Sequence, residues 1–192
     1  GPMEKNFKLI EYMEKKNMNY FCGSETDVLN RYAETAKLYN PKTVVRITSD
    51  CPFSDPNLVD AIVNEHLGNG NDYTSNIDPA TFPDGLDVEV FNFETLDITN
   101  TCAKKNHERE HVTPYMRKNR NFKKTCFKNN INLSKHRWTL DTVEDLHVIK
   151  GVCNYFYPRQ DFEWQEILKL YKSDRNLFKF NKHLDRNYIT NL

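Results

Sequence analysis

The chain has 192 residues, 27 basic and 27 acidic, so its formal net charge is zero and nothing in its overall charge draws it to nucleic acid or an acidic membrane. With 28 % charged and 38 % apolar residues, the composition is that of a folded chain with a wet surface, not a disordered one. No window approaches the roughly 18 apolar residues that a membrane helix needs, and the charged N-terminus lacks the apolar stretch of a secretory leader.

Gly1-Pro2 reads as a cleavage scar, with natural sequence expected from Met3. The length suits one domain with its own core. No linker, repeat or low-complexity tract divides it, so a single domain over 1–192 is expected. Five cysteines, widely spaced and without a C-x-x-C pair, fit a reduced, cytoplasmic protein in which they serve as small buried hydrophobes.

In chain order, residues 6–16 carry Phe7, Leu9, Ile10 and Met13 at helical spacing. NYFCG reads as a short strand. ETDVLNRYAETAKLY is a helix with Val28, Leu29, Tyr32 and Ala36 on one stripe. TVVRIT, 43–48, is β-branched and reads as a buried strand. Asp55 stands at an N-cap position and Pro56 at the first helical position, so a helix runs from there to about Leu67. GNGND is a turn, DYTSN a strand, and DVEVFNF alternates like another. A helix over 93–105 and a shorter one from His107 follow. RWTLD is a strand, TVEDLHVIKGV a helix, and 163–172 the last helix. Strands alternating with helices imply an α/β fold with a mainly parallel sheet covered on both faces.

Ligands in such folds bind at the carboxyl ends of the strands. TVVRIT ends in Ser49-Asp50 and RWTL in Asp141. Two strand-end carboxylates suit Mg²⁺, which needs only one or two protein carboxylates beside water and phosphate oxygens. The same residues have plainer readings: Asp141 with Glu144 as a capping box, and Asp50 as a turn residue. HEREH, 107–111, fits the H-E-x-x-H zinc pattern. A zinc-binding helix must hold both histidines rigidly, whereas here KKN precedes the pattern and Pro114 stops a regular helix. The pattern is therefore read as coincidence.

GSETDVLNRY, VVRITSDCPFSDP, FPDGLDVEVFN, EREHVTPYM and RWTLDTVEDL, with the tail FEWQEILKLYKSDRNLFKFNKHLDRN, resemble the spore-coat-polysaccharide type cytidylyltransferases over about residues 7–192. The CMP-KDO and CMP-sialic acid synthetases are more distantly similar. The resemblance implies a Rossmann-like three-layer α/β sandwich of the nucleotide-diphosphosugar-transferase type. It implies transfer of CMP from CTP to a sugar or to a phosphorylated or phosphonate small molecule, with release of pyrophosphate. Mg²⁺ is the implied cofactor, with Asp50 and Asp141 as its ligands and catalytic residues. Gly23, Ser24, Asp27 and Arg31 would serve the nucleotide. Asp84, Gly85, Asp87 and Glu89 would line the acceptor side, and Glu110 and His111 touch substrate or fix a loop. A homodimer is implied, or a second chain supplying a strand. The family's opening strand and its Gly-, Arg- and Lys-rich triphosphate loop have no counterpart in this sequence. A non-catalytic, truncated homologue that binds nucleotide-sugar-like ligands or oligomerises is therefore the alternative reading.

Overall fold

Helices begin where the sequence caps them. The Asp55 carboxylate accepts the Leu58 N–H at 3.0 Å, and Pro56 opens helix α3 (Pro56–Asn69). The second Asp55 oxygen accepts the Trp164 N–H at 3.1 Å, the first residue of another helix, α8 (Trp164–Ser173). One buried carboxylate thus satisfies donors at two helix starts that would otherwise be orphaned.

The computed structural model describes residues 1–186, and the last positions of the family-like tail, 187–192, lie outside them. Besides α3 and α8, the helices are α1 (Phe7–Lys15), α2 (Val28–Tyr39), α4 (Phe93–Cys102), α5 (Asn106–His111), α6 (Pro114–Lys118) and α7 (Val143–Phe156). The strands are β1 (Thr43–Arg46), β2 (Tyr73–Ser75), β3 (Glu89–Asn92) and β4 (Lys124–Cys126), joined in one sheet in the order β1-β3-β2-β4. The fold is α/β, as expected, but the sheet is mixed rather than mainly parallel.

The described chain divides into two compact units. The first comprises 1–44, 70–73 and 91–124. Its core is Leu29, Ala33 and Ala36 of α2 packed with Leu96, Val112 and Met116. The Leu29-Ala36 stripe is the one the helical period predicts, and burying a leucine there stabilises by roughly 2 kcal/mol. The second unit comprises 45–69, 74–90 and the described residues from 125 onward. Its core gathers Ile62 of α3, Val88 and Val90, Trp138, Val148 and Val152 of α7, and Ile167 of α8.

Several expectations are corrected. NYFCG forms no strand. The apolar stripe of α1 forms its helix, but none of it is buried and Phe7 is 64 % exposed. RWTLD forms no strand and, among the described residues, makes one isolated bridge, Arg137 with Asp84. TVVRIT is not a buried strand: β1 ends the sheet, with Val45 and Ile47 exposed. Of the five cysteines only Cys51 is buried, and Cys102 and Cys153 are exposed. For α1 and β1 the local pattern fixed the backbone state while burial depended on neighbours brought from elsewhere in the chain; for NYFCG and RWTLD the strand itself needed partners that the fold does not supply.

Asp55→Ala should destabilise the protein by roughly 2–4 kcal/mol, because it orphans donors on two helices at once. Urea denaturation of wild type and variant measures this. A loss under about 1 kcal/mol, the worth of one ordinary cap, would show that the double capping carries little weight.

Candidate active site

Two candidate residues of the second unit, Asp84 and Asp141, meet at one arginine. Residues 84 and 137 pair through their backbones: Asp84 N–H donates to the His136 carbonyl at 2.8 Å, and Trp138 N–H to the Asp84 carbonyl at 2.7 Å. Gly85 makes that approach possible. Its φ is +98°, and an added Cβ would stand 2.6 Å from the Trp138 carbonyl carbon, so only glycine fits. Further along, Leu140 N–H donates to the Asp50 carbonyl at 2.8 Å, and the Thr139 hydroxyl to the same oxygen at 3.2 Å. The loop after β1 is thereby held beside the segment that ends in Asp141.

Arg137 is almost wholly buried, its side chain 4 % exposed. Its Nε and Nη2 fork onto both oxygens of Asp145 at 2.9 and 2.8 Å. Nη2 also donates to Asp141 Oδ2 at 2.8 Å, and Nη1 to Asp84 Oδ2 at 3.4 Å and to the Asp185 carbonyl at 3.2 Å. Asp145 is fully buried and accepts in addition from the N–H groups of Asp141 and Thr142 and from Asn181 Nδ2. Burial works against its charge, but Arg137 and Asn181 hold its carboxyl below the ordinary range. The cap of α7 is Thr142, whose hydroxyl accepts the Asp145 N–H, with Asp145 reaching back. Asp141 therefore does not cap that helix.

Arg186 donates to Asp87 and lies 3.8 Å from Asp84. Glu89, buried, is paired with Arg46. Burial pushes the Asp84 carboxyl up to about 6, against the pull of Arg186. Burial also raises Asp87, whose neighbours include the negative charges of Glu89 and Asp50. Beside Asp50, burial pushes the Cys51 thiol up to about 12, so it is no thiolate nucleophile at neutral pH. Asp50, Asp84, Asp87, Glu89, Asp141 and Asp145 thus gather near Arg46, Arg137 and Arg186. A cavity of about 770 Å³ opens against this group, with Asp84, His136, Arg137, Trp138, Tyr171 and Arg186 on its wall.

A surplus of hard carboxylate oxygens is a donor set that suits Mg²⁺. Among the described residues no three His, Cys, Asp or Glu side chains form a metal cluster. A cation here would draw its remaining ligands from water and phosphate.

The other candidates lie in the first unit and carry local duties. Asp27 caps α2 by accepting the Asn30 N–H at 3.0 Å, and takes a two-point ion pair from Arg109 at 2.8 and 2.9 Å. Burial opposes its charge, and the Arg109 bond keeps its carboxyl below the ordinary range. The Ser24 hydroxyl accepts the Asp27 N–H at 2.9 Å, and Arg31 donates to the Ser24 carbonyl. An added Cβ on Gly23 would meet Arg31 and Phe21 side chains at 3.2 Å. In HEREH, His107, Glu110 and His111 are exposed on the six-residue α5, while Glu108 is buried and accepts the Lys105 N–H at 3.3 Å. The helix stops at Val112, whose φ is +70°.

Arg137, Asp145, Asn181 and Arg186 were not among the sequence candidates. Thr142-x-x-Asp145 carries a readable capping spacing, so Asp145 was within reach. Asn181 and Arg186 have partners 36 to 104 positions away, and Arg137, although it meets Asp141 and Asp145 nearby, reaches Asp84 across 53 positions, separations that no local pattern reports.

The sequence profile of the cytidylyltransferase family matches residues 8–179, and the chain belongs to that family. It is 34 % identical over 151 residues to the uncharacterized protein MJ1063 of Methanocaldococcus jannaschii, covering 77 % of this chain and 61 % of that protein. It is 32 % identical over 160 residues to the spore coat polysaccharide biosynthesis protein SpsF of Bacillus subtilis, covering 81 % of this chain and 65 % of SpsF. The chain thus spans a little under two thirds of the length of these curated relatives. A solved cytidylyltransferase from Leptospira borgpetersenii serovar Hardjo-bovis (strain JB197) superposes with a TM-score of 0.87 at 31 % identity, over 91 % of this chain and 74 % of that one. The likeness supports the Rossmann-like architecture expected from the sequence.

Asp84 predicts a pH signature. Its carboxyl titrates at 3.8 unfolded and about 6 folded. The folded chain therefore binds more protons between those values, and stability falls as pH rises through them. Asp84→Asn cannot ionise and escapes that loss. The variant should exceed wild type by on the order of 2 kcal/mol above about pH 7 and match it near pH 4. Thermal unfolding across that range measures the difference. A variant less stable than wild type at neutral pH would show that the ion pairs outweigh desolvation.

Proposed function

We propose that the chain transfers a cytidylyl group from CTP to an oxygen of a small acceptor, a sugar or a phosphorylated or phosphonate molecule. The acceptor oxygen bonds to the α-phosphorus as the bond to the bridging oxygen breaks, and pyrophosphate leaves. A hydroxyl acceptor releases its proton, whereas a phosphate or phosphonate attacks as the anion. The observation that carries the reading is the carboxylate surplus gathered around Arg137, in a chain of the cytidylyltransferase family.

Such a reaction demands alignment and cancellation of charge more than covalent help. Asp50 and Asp141 would hold Mg²⁺, which supplies positive charge to the phosphate oxygens. The pairing of residues 84 and 137 and the Asp50–Leu140 hydrogen bond keep both segments in register. The cavity beside Asp84 and Arg186 offers room for the acceptor. Asp84 and Asp87, both braced by Arg186, would orient its hydroxyls.

Calorimetric titration of CTP with and without Mg²⁺ tests the reading. Mg²⁺-dependent micromolar binding, about −8 kcal/mol, is expected, and Asp50→Asn should abolish the Mg²⁺-dependent part while the far-UV spectrum persists. Unchanged binding by Asp50→Asn removes that residue from the metal site. No binding of CTP or CMP by wild type favours the non-catalytic alternative.

A further inference from the structure

The Arg137 guanidinium holds more than a structural ion pair requires. Its fork onto Asp145 already neutralises it, and Asp145 is braced by two backbone N–H groups and Asn181. Yet Nη2 also takes Asp141 Oδ2, and Nη1 reaches toward Asp84 Oδ2. Asp141 keeps 25 % side-chain exposure, so water could solvate it fully if it rotated outward. Instead it stands beside the buried negative charge of Asp145, an arrangement that like charges oppose unless a cation lies between them. One oxygen of Asp141 is pinned to the guanidinium, and Oδ1 has no hydrogen bond among the described residues.

We propose that Arg137 is a positioning residue, which fixes the Asp141 carboxylate with Oδ2 turned inward and Oδ1 presented to the ligand-bound cation. The proposal rests on the reading of the site given above. The planar fork is essential: a lysine is a point charge and cannot span both Asp145 oxygens while holding Asp141. Partners one step removed from a metal commonly set the orientation of its ligands in this way.

The test uses Arg137→Lys, with Mg²⁺·CTP and cation-free CMP as probes in calorimetry. The expected result is a roughly 10–100-fold loss of Mg²⁺·CTP affinity, with CMP affinity within about twofold of wild type. A merely structural role would weaken both probes alike. Equal losses for the two probes, or wild-type Mg²⁺·CTP affinity in the variant, overturn the proposal and leave the reading of the site standing. Wild type that binds neither probe, or binds CTP equally with and without Mg²⁺, overturns the reading of the site and the proposal with it. If Arg137→Lys does not reach the wild-type far-UV spectrum, Asn181→Ala replaces it. That variant removes one brace from Asp145 and leaves Arg137 in place. It should show a smaller loss in the same direction, and wild-type Mg²⁺·CTP affinity in it overturns the proposal.

Discussion

Arg137 is a guanidinium buried in the second unit, and a buried charge persists only where it is fully paired. Much of what surrounds it follows from that constraint. Asp145 closes on it with both oxygens, at the first turn of α7. Asn181 ties the pair to the C-terminal stretch by donating to Asp145 and to the Arg137 carbonyl. The Asp185 carbonyl takes another donor. Removing one partner would leave an uncompensated charge in a poorly hydrated place, which ordinarily costs about 3–5 kcal/mol. The same group that holds these segments together also grips Asp141 and Asp84, so the stability of the unit and the geometry of the candidate site share one anchor.

Around that anchor the charges do not balance. Carboxylates outnumber the arginines, and burial leaves Asp84 and Asp87 with raised pKa values despite Arg186. A carboxyl held above its ordinary range in a cleft opposes stability, and such arrangements cluster where a protein binds or reacts. A cation delivered with a phosphate ligand would relieve the strain among these charges. That physical logic, rather than the family profile alone, is why the second unit is read as the place of chemistry. Asp27 and Arg109 show the contrasting case in the first unit: a cap and a two-point ion pair that serve the start of a helix.

What the sequence by itself determined was local. Asp55-Pro56 started α3, the Leu29-Ala36 stripe became the core of the first unit, and Thr142 with Asp145 capped α7. The motifs that resemble the family identified it and pointed to Gly85, although the backbone that Gly85 meets, Trp138 and Thr139, was not legible there. Caps, periods and glycine turns are short-range effects, written within a few residues of where they act.

Only the tertiary structure decided which of those elements would be covered and which charges would meet. TVVRIT has the composition of a central strand but ends the sheet, because strand order is set by which segments pair and not by side-chain type. RWTLD forms no strand and joins its neighbours through one bridge and a few hydrogen bonds. Asp50 and Asp141 were visible as strand-end carboxylates, yet the arginine between Asp84, Asp141 and Asp145 was not. Asp141 and Asp145 lie only four and eight residues from it, but Asp84 and the Asn181 that braces Asp145 come from distant segments, and their meeting comes from chain folding rather than from any spacing in the sequence.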